Sequence, residues 1–347
     1  MDIAEIAQQL PFPWQTKQWR RLWLQHDSNK LAHAYLLAGP AGLGKALFAR
    51  HFARLMLCEN PEQKQPCGMC RSCQLTLKNN HPDIRYLGPE EGSRDIKIEQ
   101  IRDLADYAVQ TSFAGGLKIA IINHAHQMNS SAFNALLKTL EEPVPGTYLF
   151  LLSDSPGGLS STIRSRCQRL QFTSPGFDQA CEWLQQYLDP EIDPVKLLVV
   201  TNNRPLKAIE LAGDGSLSGR EEFVHELCSL IQNKQNPQQL VNKAIKLGET
   251  TAIECLQETA SGLIKGIIGM QLESTKDSPL REVLDRLAAF SGSASGRKAQ
   301  IRELAGFYQT TLEAVRKLRS GSNPNPQLLL ESLLWQWKEL QLGLAGK

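Results

Sequence analysis

The stretch LAHAYLLAGPAGLGKALFARHF, Leu31 to Phe52, leaves this chain few folding options. A short apolar run enters a glycine-rich turn and leaves it as an amphipathic helix. A strand apolar along its whole length must be covered on both faces, which is the situation of a parallel sheet. The turn follows the phosphate-loop pattern G-x-x-x-x-G-K-[ST] at Gly39, Gly44 and Lys45, with Gly42 adding freedom inside it. Backbone N–H groups from Gly42 to Lys45, at the start of a helix, can cradle phosphate oxygens while Lys45 neutralises them. The eighth position, where a hydroxyl holds Mg²⁺, is Ala46.

Two further apolar runs, KIAIINHA (118–125) and GTYLFLLSDSP (146–156), read as buried strands. They alternate with the helical stretches KALFARHFARLMLC, IEQIRDLADYAVQ and SAFNALLKTLEEP, the last stopped by Pro143. Residues 14–30, carrying Trp14, Trp19 and Trp23, read as an amphipathic helix ahead of the first strand. Alternation of this kind predicts an α/β domain with a parallel sheet. The strand 118–122 runs into Asn123 and His124, where phosphate-loop ATPases place the carboxylates that hold Mg²⁺ and polarise water. With Ala46, these make three departures within one site. ATP or ADP can still be held by the glycines and Lys45, but hydrolysis is not expected.

Beyond about residue 170 the pattern turns helical. FDQACEWLQQYL and PVKLLVVTNNRPLKAIELAG are helical segments, GDGSLSGREE is a linker, and breaks fall at 291–298 and 320–326. The plan is an α/β domain over 1–170, a small helical domain over 171–215 and a helical bundle over 216–347.

A formal net charge of +2 over 347 residues argues against a chain that coats nucleic acid by bulk charge. No apolar run approaches the roughly 18 residues of a membrane span, and the start MDIAEIAQQL lacks the basic and apolar regions of a secretory signal. The cytoplasm is the expected location. In a reducing compartment, eight cysteines read as thiols or metal ligands. Cys58, Cys67, Cys70 and Cys73 have the spacing to close a tetrahedral Zn²⁺ site with no open position, a structural arrangement for an insertion too polar to fold by its own core. Iron–sulfur ligation uses similar spacing, and metal-free surface thiols are the bland alternative. The polar surroundings hold one Lys, one Arg and no aromatic residue, unlike a zinc-based nucleic-acid reader. The triplet Ser165-Arg166-Cys167, in STIRSRCQRLQF, reads in isolation as a solvated basic turn.

Taken in order, HAYLLAGPAGLGK, the four-cysteine knuckle followed by HPD, FNALLKTLEEP, SRC and the terminal NPQLLLESLL resemble the bacterial clamp-loader subunits of the AAA+ class. The resemblance spans the chain and is strongest over residues 30–170. It implies an AAA+ α/β domain bearing the zinc module, a helical lid and a helical collar. Motor members (gamma/tau) carry Thr after the loop lysine and an acidic pair at the strand end. Ala46, Asn123 and His124 place this chain with the non-hydrolysing member, with an active gamma/tau-like ATPase as the alternative. In the position of the second sensor arginine stands Leu206, with Arg204 two residues earlier. The family implies a hetero-pentamer with gamma/tau and delta that loads a sliding clamp onto primed DNA within a DNA polymerase holoenzyme. It also implies that Arg166 of the SRC motif reaches a neighbour's ATP site.

Overall fold

The computed structural model describes residues 6, 9–90, 93, 95–113, 116–213, 217–232, 236–269, 279–290, 294–319 and 325–340. The chain divides into two compact units, 1–179 and 180–347.

The first unit holds a five-stranded parallel sheet. Helix α1 (Thr16–Asp27) precedes β1 (Ala34–Ala38), and α2 (Lys45–Met56) follows the glycine turn. A short α3 (Arg71–Leu77) closes the cysteine-rich insertion. Then come β2 (Ile84–Leu87), α4 (Ile98–Val109), β3 (Lys118–Ile122), α5 (Ser130–Glu141), β4 (Thr147–Ser153), α6 (Ser161–Arg166) and β5 (Gln168–Gln171). The strand order is β2-β3-β4-β1-β5, with every neighbouring pair parallel.

Side chains alternate across the strands and build two cores. Tyr35, Leu37, Ile119, Ile121, Phe150 and Leu152 meet Trp19 of α1 and Phe48 and Phe52 of α2. Their neighbours Leu36, Ala120, Ile122, Leu149 and Leu151 meet Ile101, Leu104, Leu136, Leu140 and Ile163 on the other face. Helices on both faces explain why β1, β3 and β4 contain no polar alternation.

The second unit is helical among its described residues. Helix α7 (Phe177–Gln185) spans the division, and α8 (Pro194–Val200) and α9 (Pro205–Gly213) follow. The sequence reads 194–213 as one helical segment. In the structure Asn202 and Asn203, both left-handed at φ 55° and 58°, part it into two helices. Asn tolerates this conformation better than most residues.

Next come α10 (Leu217–Ile231), α11 (Pro237–Leu247), α12 (Glu249–Ile268), α13 (Pro279–Phe290), α14 (Ala294–Arg319) and α15 (Pro326–Lys338). Residues 214–216 of the expected linker, and residues 291–293 and 320–324 of the expected breaks, lie outside the described residues. Helix α12 packs against α10, α11, α13 and α14. Buried Trp337 donates its indole N–H to the Leu227 carbonyl at 2.9 Å, holding α15 to α10.

Candidate functional site

Sheet order positions the phosphate loop. Because β1 pairs with β4 and Ala38 lies opposite Ser153, the residues leaving the two strands emerge side by side. Gly39 N–H bonds the Ser153 carbonyl at 3.2 Å. A Cβ on Gly39 would stand 2.2 Å from the Phe172 carbonyl oxygen, so only glycine fits there. Gly44 caps α2 in the left-handed conformation, φ 80°. Gly42 is left-handed as well, at φ 76°. From outside, the loop is braced by Trp14 Nε1 at 3.1 Å and Gln15 Nε2 at 2.8 Å, both donating to the Leu43 carbonyl.

Lys45, the residue that should meet phosphate, is buried with 6% of its side chain exposed. Its ammonium donates to the Gly39 carbonyl at 2.7 Å, the Pro40 carbonyl at 2.6 Å and Asp154 Oδ1 at 2.6 Å. The carboxylate comes from the residue just past β4. Burial works against the charge on Asp154, but the His124 hydrogen bond and the Lys45 charge outweigh it and hold the carboxyl far below its usual range. His124 Nδ1 lies 3.3 Å from Asp154 Oδ2. Ala46, lacking a hydroxyl, packs against the apolar core. Asn123, at the end of β3, gives its backbone N–H to the Leu87 carbonyl at 2.7 Å. The phosphate loop thus has its shape, with an internal carboxylate on its lysine.

The sequence reading gave Asp154 no role. The signal was present: a carboxylate at the C-terminal end of an apolar strand is where ligands gather in open parallel sheets. Only the pairing of β4 with β1 shows which lysine it meets.

Arg166 ends α6, whose first turn is capped by Ser160 Oγ accepting from Ile163 N–H at 3.3 Å. The guanidinium is 35% exposed, with Nη2 2.7 Å from Glu141 Oε1 and Nη1 donating to the Thr162 carbonyl at 3.1 Å. Ser165 is exposed and turns its hydroxyl to the same carbonyl at 3.0 Å. Cys167 is buried, and burial raises its thiol to about 12, so it is a packing residue at neutral pH. Glu141, from the LEEP end of α5, was not foreseen as the partner of Arg166.

The four predicted cysteines do converge. One sulfur from each of Cys58, Cys67, Cys70 and Cys73 lies within 4.8 Å of the others, so the group could hold a metal ion. Cys67 Sγ and Cys73 Sγ are 4.0 Å apart, near the edge of about 3.8 Å for a tetrahedron with 2.3 Å metal–sulfur bonds. Backbone N–H groups point at the sulfurs: Cys67 N to Cys58 Sγ at 3.2 Å, Cys70 N to Cys67 Sγ at 3.3 Å, and Cys73 N to Cys70 Sγ at 3.4 Å. The N–H groups of Cys70 and Met69 lower the Cys67 thiol to about 7, whereas burial raises Cys58 and Cys73, so Cys67 is the member of the group nearest the thiolate form that a metal requires. These residues fit a structural metal, with no donor position left for substrate.

Arg204 is occupied elsewhere, paired with Glu258 in the second unit. Among the described residues, no helix is long and apolar enough to cross a membrane.

Comparison with known proteins gives the family. A family described as "DNA polymerase III, delta subunit" matches residues 14–176. The DNA polymerase III subunit delta' of Pseudomonas aeruginosa is 34% identical over 333 residues, covering 95% of this chain and 98% of that one. The subunit of the same name from Escherichia coli K12 is 34% identical over 62% of this chain and 66% of that one. The subunit tau of Salmonella typhimurium is 31% identical over 54% of this chain and 28% of that one. Near-complete coverage of the first of these relatives means that this chain belongs to the DNA polymerase III subunit delta' family.

Proposed function

We propose that this chain is the non-hydrolysing stator of a bacterial clamp loader, a subunit that keeps the ATPase fold to serve its neighbours. The observation that carries the reading is the state of Lys45, whose ammonium is taken up by two loop carbonyls and Asp154. A lysine so held has no donor facing an incoming γ-phosphate. Ala46, Asn123 and His124 also supply neither the hydroxyl nor the carboxylates that hold Mg²⁺ and activate water.

In this reading the chain assembles with gamma/tau motors and delta in a hetero-pentamer that loads the sliding clamp onto primed DNA. Its α/β domain, a lid over 171–215 and a collar over 216–347 divide the work, with the collar joining the ring. Arg166 supplies its guanidinium to the neighbouring motor's ATP site, with Ser165 and Cys167 shaping the end of α6. A trans guanidinium stabilises the charge spread over the transferring phosphoryl group and is worth roughly 10³–10⁵ in rate in GTPases. Zinc is the metal in the cysteine cage and has a structural role. The protein acts in the cytoplasm, as part of a DNA-directed DNA polymerase holoenzyme.

Steady-state ATP hydrolysis by the purified chain separates this reading from a gamma/tau-like motor. The expected result is no turnover above buffer with Mg²⁺ present. Turnover abolished by Lys45→Ala would identify a motor instead.

A further inference from the structure

Beside the phosphate loop lies a group of side chains that the stator reading leaves unused. His124 and His126 flank the turn after β3, and Asp154 follows β4. One ligand atom from each lies within 4.8 Å of the others. The 3.3 Å between His124 Nδ1 and Asp154 Oδ2 matches the edge of about 3.3 Å for a tetrahedron whose centre is 2.0–2.1 Å from nitrogen and oxygen ligands. We propose that His124, His126 and Asp154 form a second metal site, taking a divalent transition ion that prefers imidazole, such as Zn²⁺, Co²⁺ or Ni²⁺.

The local geometry supports a site over a chance cluster. His124 has φ 51°, a left-handed conformation uncommon for a non-glycine residue and one that gathers at functional turns. The two imidazole ring centroids are 6.0 Å apart, in an edge-to-face arrangement. His126 Nδ1 is 3.3 Å from Ser153 Oγ, the kind of outer hydrogen bond that orients a ligating ring. Lys45 takes Oδ1 of Asp154 and leaves Oδ2 toward the histidines. His124 is 51% exposed, so an ion has a path in, and its ring proton can sit on the nitrogen away from the ion.

The donor set selects the ion. Two imidazoles and one carboxylate suit Zn²⁺, Co²⁺ or Ni²⁺. Mg²⁺ demands oxygen ligands in near-octahedral array and is not expected there. The site would hold the ends of β3 and β4 together at the place where a working ATPase is organised by Mg²⁺ and nucleotide. Three protein ligands leave a coordination position open to water or an anion.

The test uses the full chain with Zn²⁺ already bound at the cysteines and Co²⁺ as the probe. Equilibrium dialysis should show one further metal equivalent per chain, with a visible spectrum lacking thiolate charge transfer. His124→Ala, His126→Ala and Asp154→Asn should each weaken that second equivalent at least tenfold and leave the first in place. The two histidines lie at a turn outside the sheet, and a wild-type circular dichroism spectrum with a cooperative unfolding transition above the assay temperature reports that each variant is folded. No second equivalent, a spectrum of thiolate ligation only, or an Asp154→Asn protein that binds Co²⁺ like wild type overturns the proposal.

Discussion

Asp154 shows how one carboxylate changes the meaning of a motif. GPAGLGK reads as a site prepared for phosphate, yet the Lys45 charge is already met at 2.6 Å inside the protein. The pairing has a pH signature. With its folded pKa below the unfolded value of about 3.9, Asp154 contributes stability that is fully present above that value and is lost as pH falls below it. Asp154→Asn should therefore be less stable than wild type near neutral pH, by about 3 kcal/mol if the pair behaves as a buried one. The gap should narrow as the solution is taken below about pH 4, and urea unfolding midpoints across that range would measure it. The glycines and Lys45 were legible because a phosphate loop is a local pattern. Asp154 and Glu141 were not, since their partners lie 109 and 25 residues away and are set by strand order and helix packing.

At the level of elements, the central strands announced themselves and the edge strands did not. β1, β3 and β4 are apolar because both faces are covered. In β2 (Ile84–Leu87) and β5 (Gln168–Gln171), half-buried and polar positions hide the strand from any periodicity argument. The cysteine module was legible from spacing alone, but its docking was not. Trp19 Nε1 donates to the Lys64 carbonyl at 3.2 Å, and the Trp19 ring lies over His51 with centroids 5.0 Å apart. His51 Nε2 is 2.7 Å from Gln65 Oε1, and Arg54 Nη2 is 2.9 Å from His51 Nδ1. Burial lowers His51 to about 4 from 6.5. A neutral buried histidine contributes stability that is present above its unfolded pKa and lost as pH falls toward the folded one. His51→Gln keeps a donor and an acceptor but cannot titrate. It should flatten the loss of stability between about pH 6.5 and 4, as thermal unfolding at stepped pH would show. An unchanged slope would remove His51 as its source.

On the scale of the whole molecule, each unit has its own core and its own polar fastening. In the second unit α9 and α10 reach α12 through charge. Arg204 and Lys207 meet Glu258, while Lys207 and Arg220 meet Glu254 at 2.6 and 3.3 Å. Glu258 is nearly buried, so Glu258→Ala would take from Arg204 its carboxylate partner and leave Lys207 with Glu254 alone, and should cost about 3–5 kcal/mol in chemical unfolding. Glu258→Gln should cost less, because hydrogen bonds survive. Arg204, close in sequence to the motor's second sensor position, is thus part of this internal fastening. The direct test is ATP hydrolysis and clamp loading by an assembly reconstituted with gamma/tau, delta, clamp and primed DNA, comparing wild type with Arg166→Ala and Arg166→Lys. Both variants should assemble, and turnover should fall at least tenfold, with lysine failing to restore it because it lacks the planar fork of donors. Wild-type hydrolysis and loading by Arg166→Ala would contradict the account.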